Sequence, residues 1–199
     1  MSDSKQELQI RGEKVSLRAI HEGDLPELYE LVYGEKEAAW KKWDAPYFPL
    51  EYISFDEYRE ETSKYVFKYG APKPRMIIEV NDEMIGTVNY YWEHKESNWL
   101  EIGVVIYKAG YWNGGYGTEA LRLWVDYLFD TLPLVRIGLS TWSGNKRMMR
   151  VAEKLGMKLE GQIRKARLYE NEYYDSIKMG MLREEWSEER RNNRREVEA

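Results

Sequence analysis

The sequence predicts an α/β (α+β) fold: a mixed, mostly antiparallel, twisted sheet of six to seven strands flanked by about four helices. Two observations carry this. The hydrophobic period switches from one strand to two helices, then to a run of strands, then to strands alternating with helices, which implies a mixed sheet with helices on its faces. The chain also has 199 residues, 43% hydrophobic and 33% charged, enough for one sizeable globular core.

The elements follow in order. Lys14–Ile20 alternates Val15, Leu17 and Ala19 with Ser16 and Arg18, a strand. Asp24 before Leu25, Pro26 and Glu27 reads as an N-cap with an early proline and a capping glutamate. Leu28, Leu31 and Val32 continue that helix to Gly34. Trp40–Leu50 reads as a loop. Ser54 and Glu57 form a second capping signature, and Tyr58, Thr62, Tyr65, Val66 and Tyr69 keep one helical face until Gly70-Ala71-Pro72. Met76–Val80 and Ile85–Trp92 are hairpin strands around the Asn81-Asp82 turn. Trp99–Tyr107 follows, with Ile102–Ile106 expected to be buried on both faces. Thr118–Phe129 is helical, Val135–Thr141 a strand, and Asn145 opens a helix that Gly156 ends. Lys158–Arg167 and Tyr173–Leu182 flank a Glu170-Asn171-Glu172 turn.

Composition narrows the chemistry. There is no cysteine, so disulfides, thiolate zinc sites and cysteine nucleophiles are excluded. The only histidines, His21 and His94, cannot make a multi-histidine metal site, and no metal is expected. A formal net charge of -5 argues against nucleic acid and suits a cationic partner such as an amine. The sequence holds no apolar run long enough to span a membrane and no secretory leader, so a cytoplasmic setting is expected. The segment Arg183–Ala199 alternates Glu and Arg clusters around Trp186, as a solvated helix end or a partner-binding arm would. The expected organisation is an extension at 1–13, a domain at 14–182 and a charged tail at 183–199.

The segment that carries chemistry is Glu101-Ile102-Gly103-Val104-Val105-Ile106 followed by Tyr111-Trp112-Asn113-Gly114-Gly115-Tyr116-Gly117-Thr118. A strand runs through three glycines directly into a helix. Glycines admit positive φ and close backbone approach, and a helix start offers unpaired N–H groups and partial positive charge. Together they make an anion site, most suited to phosphate. The segment is neither a P-loop, lacking Gly-Lys-Ser/Thr, nor a Rossmann fingerprint, lying mid-chain after a run of strands.

Strand, Trp112-x-x-Gly115-x-Gly117, helix, a strand ending near Thr141, then Asn145 opening a helix closed by Leu155-Gly156-Met157: this pattern resembles the GNAT N-acetyltransferases. The pyrophosphate signature of that family is Arg/Gln-x-x-Gly-x-Gly/Ala. Trp112 departs from its first position, as is common in the branch resembling the ribosomal-protein N-terminal acetyltransferases of the RimJ/RimL type. The resemblance spans about Lys14–Leu182, including Tyr173-Tyr174-Asp175-Ser176, and extends to Leu182-Arg183-Glu184-Glu185-Trp186. It implies a GNAT-like acyl-CoA N-acyltransferase fold and acetyl-CoA as donor. The amides of Asn113, Gly114, Gly115, Tyr116, Gly117 and Thr118 would hold the pyrophosphate, with Trp112 opening the loop. Val104, Val105 and Ile106 would pair with the pantetheine arm, and Asn145 would bond the same arm, serve as a plain helix cap, or do both.

Acyl transfer to an amine needs a base, a polarised carbonyl and a proton for the departing thiolate. The resemblance implies Glu101 as base and an amide near Val104 or Val105 as the polarising group. The usual acids are missing: Ala152 stands where many members have Tyr, and Met148 where the RimJ/RimL branch often has Ser. Tyr107, Tyr111, Tyr116, Ser143 or water are the substitutes. The acceptor that the resemblance implies is a small-molecule amine, a polyamine or a protein N-terminus. In the family the acceptor pocket lies between the first two helices, the central strands and the final hairpin; the resemblance thus puts Trp40, Trp43, Tyr47, Phe48, Tyr90, Tyr91, Trp92, Tyr169, Tyr173 and Tyr174 in its segments, most of them expected to be core, with Asp44, Glu51 and Glu93 nearby in sequence. The alternative is a degenerate CoA-binding sensor or scaffold. A homodimer accords with the branch.

Overall fold

Eight strands form one hydrogen-bonded sheet in the computed structural model, which describes residues 8–35, 38–67, 72–188 and 190. They are β1 (Gln9–Arg11), β2 (Ser16–Ala19), β3 (Arg75–Val80), β4 (Glu83–His94), β5 (Trp99–Ile106), β6 (Arg136–Trp142), β7 (Lys158–Tyr169) and β8 (Glu172–Leu182), in the spatial order β1-β2-β3-β4-β5-β6-β8-β7. β5 and β6 run parallel; β1–β2, β2–β3, β3–β4, β6–β8 and β7–β8 are antiparallel. The mixed sheet is as expected, with one strand more. The addition is β1, three residues too polar to show alternation, which forms by pairing Ile10 with Leu17 of β2. The helices are α1 (Leu25–Tyr33), α2 (Phe55–Thr62), α3 (Tyr116–Thr131) and α4 (Lys146–Lys154), and residues 183–188 are also helical. No helix among the described residues is long and apolar enough to cross a membrane.

Contacts group the chain into two compact units. Of the described residues, the first holds those up to Lys41 together with those of Leu50–Asn89 and Val104–Asp126; the second holds Lys42–Pro49, Tyr90–Gly103 and those from Tyr127 onward.

In the first unit, Ile20, Leu25, Leu28, Val32, Trp40, Tyr58, Ile77 and Tyr107 share one apolar cluster. Trp40 is core rather than pocket: its indole N–H donates to the Leu31 carbonyl at 3.1 Å and its ring meets Tyr107 edge-on. Asn81 and Asp82 both have positive φ, as the two-residue turn between β3 and β4 demands. The Ser54–Glu57 capping box is present, with the Ser54 amide donating to Glu57 at 2.8 Å. α2 departs from expectation by leaving α geometry after Thr62 for a π-helical turn over Ser63–Phe67. Tyr58, Thr62 and Val66 stay buried, whereas Tyr65 is exposed; Tyr69, Gly70 and Ala71 lie outside the described residues.

Asp24 does not cap α1 through its side chain. Its two carboxylate oxygens accept from the Arg18 guanidinium at 2.8 and 2.9 Å, and Oδ2 also accepts from the His21 amide at 2.7 Å. The fork of Arg18 outcompetes a neutral amide because charge-assisted bidentate bonds are stronger. Arg18 Nε donates to Glu79 at 2.9 Å, so one guanidinium links β2, β3 and the turn before α1.

In the second unit, α4 begins at Asn145 and ends in a Schellman turn, with Gly156 at positive φ and the Met157 amide donating to the Ala152 carbonyl at 3.0 Å. The β7–β8 turn uses Glu170 and Asn171, both at positive φ, and Glu172 belongs to β8 rather than to the turn. Arg183 donates to the carbonyls of Phe129, Leu132 and Leu134, satisfying acceptors that the end of α3 leaves open. Trp186 stacks on Phe129 with centroids 4.8 Å apart, so the start of the charged segment is anchored; residues 191–199 lie outside the described residues.

Replacing Arg18 with Ala leaves two carboxylates side by side without their shared cation. Urea titration is expected to show a loss of about 2–3 kcal/mol in unfolding free energy. A loss under about 0.5 kcal/mol, typical of an exposed pair, would contradict this account.

Candidate active site

Glu101 is the third residue of β5, and its side chain is withdrawn from water, with the residue 1% exposed. A carboxylate held there requires internal donors. Three strands supply them. Lys178 of β8 donates to Oε1 at 2.7 Å, and Tyr91 of β4 and Ser140 of β6 donate to Oε2 at 2.7 and 2.5 Å. Pairing explains the convergence: Glu101 lies opposite Gly138 and Ser140 opposite Lys178, so their side chains share one face. Burial pushes the Glu101 carboxyl up, but the Lys178, Ser140 and Tyr91 bonds outweigh it and leave the group below its usual range, ionised. Burial and the Glu101 charge push the Tyr91 phenol well above its ordinary value, so it stays protonated. Glu101 is thus no surface carboxylate. Tyr91, Ser140 and Lys178 belong to the cluster but were missed as partners, because residues 91, 101, 140 and 178 meet only through strand pairing.

The same strand ends at Val104, Val105 and Ile106. These are only partly buried, a correction to the expectation that all of Ile102–Ile106 would be covered on both faces. Beyond them, the Trp112 indole N–H turns back to the Ile106 carbonyl at 2.9 Å, and its ring packs on the first unit's core. Asn113 and Gly115 adopt positive φ (64° and 86°), and both are exposed, as is Gly114. Gly115 accepts the first α3 bond, from the Glu119 amide at 3.0 Å. The amides of Tyr116, Gly117 and Thr118 therefore have no partner within the helix. A Cβ at Gly115 would meet only Lys14 Nζ, at 3.4 Å, so the outer side of the turn is open. Lys14 was not foreseen here. Its ammonium donates to the Gly114 carbonyl at 3.1 Å and brings a positive charge to the same turn from 100 residues away. Exposed amides, a helix start and an ammonium make this turn fit a pyrophosphate.

Asn145 caps α4, its Oδ1 accepting from the Met148 amide at 3.0 Å, and its Nδ2 donates to the Trp43 carbonyl at 2.8 Å. The Trp142 indole donates to the same carbonyl at 3.1 Å. These bonds hold the loop at 42–49 beside Trp142, whose ring also meets Tyr47, Tyr169 and Tyr174 edge-on. The ring faces of Trp43 and Tyr47 already carry guanidinium groups, Arg147 at 4.2 Å and Arg167 at 5.2 Å. A cationic amine would compete with these arginines for those faces.

The substitute acids are also engaged. Tyr107 is buried with its hydroxyl 3.1 Å from Thr87, Tyr111 donates to Glu83 at 2.5 Å, and Ser143 accepts from the Asp175 amide at 2.9 Å. Tyr116 starts α3 with its ring edge-on to Tyr111 at 5.2 Å. Ala152 is fully buried, and its methyl side chain has no proton to donate.

Comparison with known proteins supplies a context for this arrangement. Residues 14–158 match the acetyltransferase (GNAT) domain. The chain is 32% identical to uncharacterized N-acetyltransferase YnaD of Bacillus subtilis (strain 168), over 76% of this chain and 94% of that protein. Among solved structures it is similar to the Vibrio cholerae spermidine N-acetyltransferase in complex with CoA and spermine: TM-score 0.73, 23% identity, 88% of this chain and 99% of that one. It is also similar to RimL, a ribosomal L7/L12 alpha-N-protein acetyltransferase, in complex with coenzyme A: TM-score 0.70, 18% identity, 88% and 98%. The last two show a shared fold.

Because Glu101 has a lowered folded pKa, its ionised bonds stabilise the protein above the unfolded value of about 4.3 and lose that contribution as pH falls through the folded value. Glu101→Gln is therefore expected to lower stability near pH 7 by about 1–3 kcal/mol, with the gap to wild type closing below about pH 4. Chemical denaturation at several pH values checks this; a gap that does not change with pH would contradict the linkage.

Proposed function

This chain belongs to the GNAT acetyltransferase family, and from that premise we propose that it moves the acetyl group of acetyl-CoA to a primary amine by direct attack in a ternary complex. It is an N-acetyltransferase; the donor, the site residues and the acceptor are the content of the proposal. The observation that carries it is the turn after β5, where left-handed Asn113 and Gly115, the first amides of α3 and the Lys14 ammonium surround an open position suited to a pyrophosphate. Solved relatives of the same fold are described as complexes with CoA, which supports the donor.

In this reading Trp112, Asn113, Gly114, Gly115, Tyr116, Gly117 and Thr118 form the pyrophosphate turn, and Lys14 adds charge to it. The partly buried Val104–Ile106 edge pairs with the pantetheine arm, and a Val104 or Val105 amide polarises the thioester carbonyl. Bound acetyl-CoA supplies the activated acetyl group and a thiolate leaving group. Asn145 has one amide N–H beyond its two internal bonds with which to reach the arm. Glu101 receives the proton that the acceptor sheds. The Lys178 ammonium beside it disfavours a second positive charge and so favours the neutral, nucleophilic amine. The acceptor class is a protein N-terminus, a polyamine or another small amine. The domain carrying this activity spans 14–182, with 1–13 as an extension and 183–199 as a charged tail.

A thiol-release assay with acetyl-CoA and a panel of peptides, spermidine and simple amines tests the reading. Turnover supports it. Tight CoA binding with no turnover favours a degenerate binder, and absence of any thermal shift with acetyl-CoA overturns both. Gly115→Glu puts a carboxylate in the turn; calorimetry is expected to show no CoA binding, with Tm lowered by only a few degrees for about 1–2 kcal/mol of left-handed strain. Unchanged affinity would refute the pyrophosphate assignment. Lys14→Ala should raise the KM for acetyl-CoA by about tenfold, less at high salt, with kcat little changed.

A further inference from the structure

Glu101 cannot touch an acceptor in the arrangement observed. It is 1% exposed, and both its oxygens are covered by donors from other strands. The groups that do reach outward are those donors: Tyr91 is 43% exposed, the Lys178 side chain is 42% exposed, and Ser140 is exposed. Any proton passing from an acceptor to Glu101 must go through one of the three. Lys178 is excluded, because an ammonium has no lone pair with which to receive a proton. Of the two hydroxyls, that of Tyr91 stands at the end of the longer side chain, on a residue 43% exposed, and extends the reach of Glu101 toward solvent.

We propose that Tyr91 is a catalytic residue, relaying the acceptor's proton to the buried Glu101. This rests on the acetyltransferase reading above. The step balances as follows. An N–H bond of the acceptor ammonium breaks and its proton goes to Tyr91 Oη, as the Tyr91 O–H bond breaks and its proton goes to Glu101 Oε2. The products are a neutral amine, an intact phenol and a neutral carboxylic acid. The amine nitrogen then bonds the acetyl carbon as the carbon–sulfur bond breaks. A second amine proton leaves with the thiolate to give the thiol, and Glu101 returns its proton to solvent along the same path. The relay removes the need for a carboxylate exposed to the acceptor, and Lys178 and Ser140 hold Glu101 in place as positioning residues.

Tyr91→Phe keeps the ring and deletes the hydroxyl. Near neutral pH it is expected to lower kcat/KM about 100-fold with the KM for acetyl-CoA unchanged, and the deficit should shrink above the pKa of the acceptor amine. Glu101→Gln should show the same pH-dependent deficit. The double variant should be no slower than Glu101→Gln alone, since both act on one path. A proton inventory on the wild-type enzyme reads the step without substitution: a bowed dependence on deuterium content is expected for two protons moving together. Wild-type rates in Tyr91→Phe, a deficit equal at every pH, losses that multiply in the double variant, or a straight-line inventory would each overturn the relay while leaving the acetyltransferase reading intact. Absence of wild-type turnover with every amine would overturn that reading, and the relay with it.

Discussion

A carboxylate removed from water must find its hydrogen bonds inside the protein, and Glu101 finds them on three different strands. That requirement constrains the sheet around it. Ser140 and Lys178 are cross-strand partners, and a one-residue slip of β6 or β8 would turn either of them to the opposite face and orphan the charge. Gly138, opposite Glu101, leaves little spare space: a Cβ there would lie in contact with Glu101 Cγ and Trp99 Nε1 at 3.4 Å. Register, residue size and charge are mutually dependent at this point.

The two ends of β5 solve different problems. At Glu101 the strand is covered, and charge is balanced by fixed donors. At Val104–Ile106 it is partly open and leads into a turn whose helix-start amides and Lys14 ammonium suit an anion. One strand thus carries the group suited to proton removal and the edge suited to an extended ligand, three to five residues apart in sequence. The chain has no cysteine, so no protein thiol takes part at either end.

Departures from the family pattern also have structural reasons. Ala152 is sealed in the core, and its carbonyl closes α4, so proton delivery from that helix position is not available. The loop at 42–49 is tied to Asn145 and Trp142, and two of its aromatic rings carry arginines. Binding of an acceptor to those rings would depend on displacing a cation already in place.

The sequence by itself determined the order of elements, because each rests on local signals. Asn81-Asp82 demands a tight turn, Ser54 and Glu57 cap a helix, Gly156 ends one, and an asparagine and a glycine at 113 and 115 permit left-handed backbone there. Glu101 was legible as a candidate through the family resemblance, which points to a glutamate on the strand before that turn. Where local signals compete with distant ones they fail: Asp24 looks like a cap until Arg18 claims its carboxylate, and β1 has no pattern of its own. What only the tertiary structure decided is which groups meet. Lys14 reaches a turn 100 residues away, and Tyr91, Ser140 and Lys178 close on Glu101. Strand pairing makes these contacts, and pairing partners are chosen by the burial of whole faces rather than by any motif along the chain.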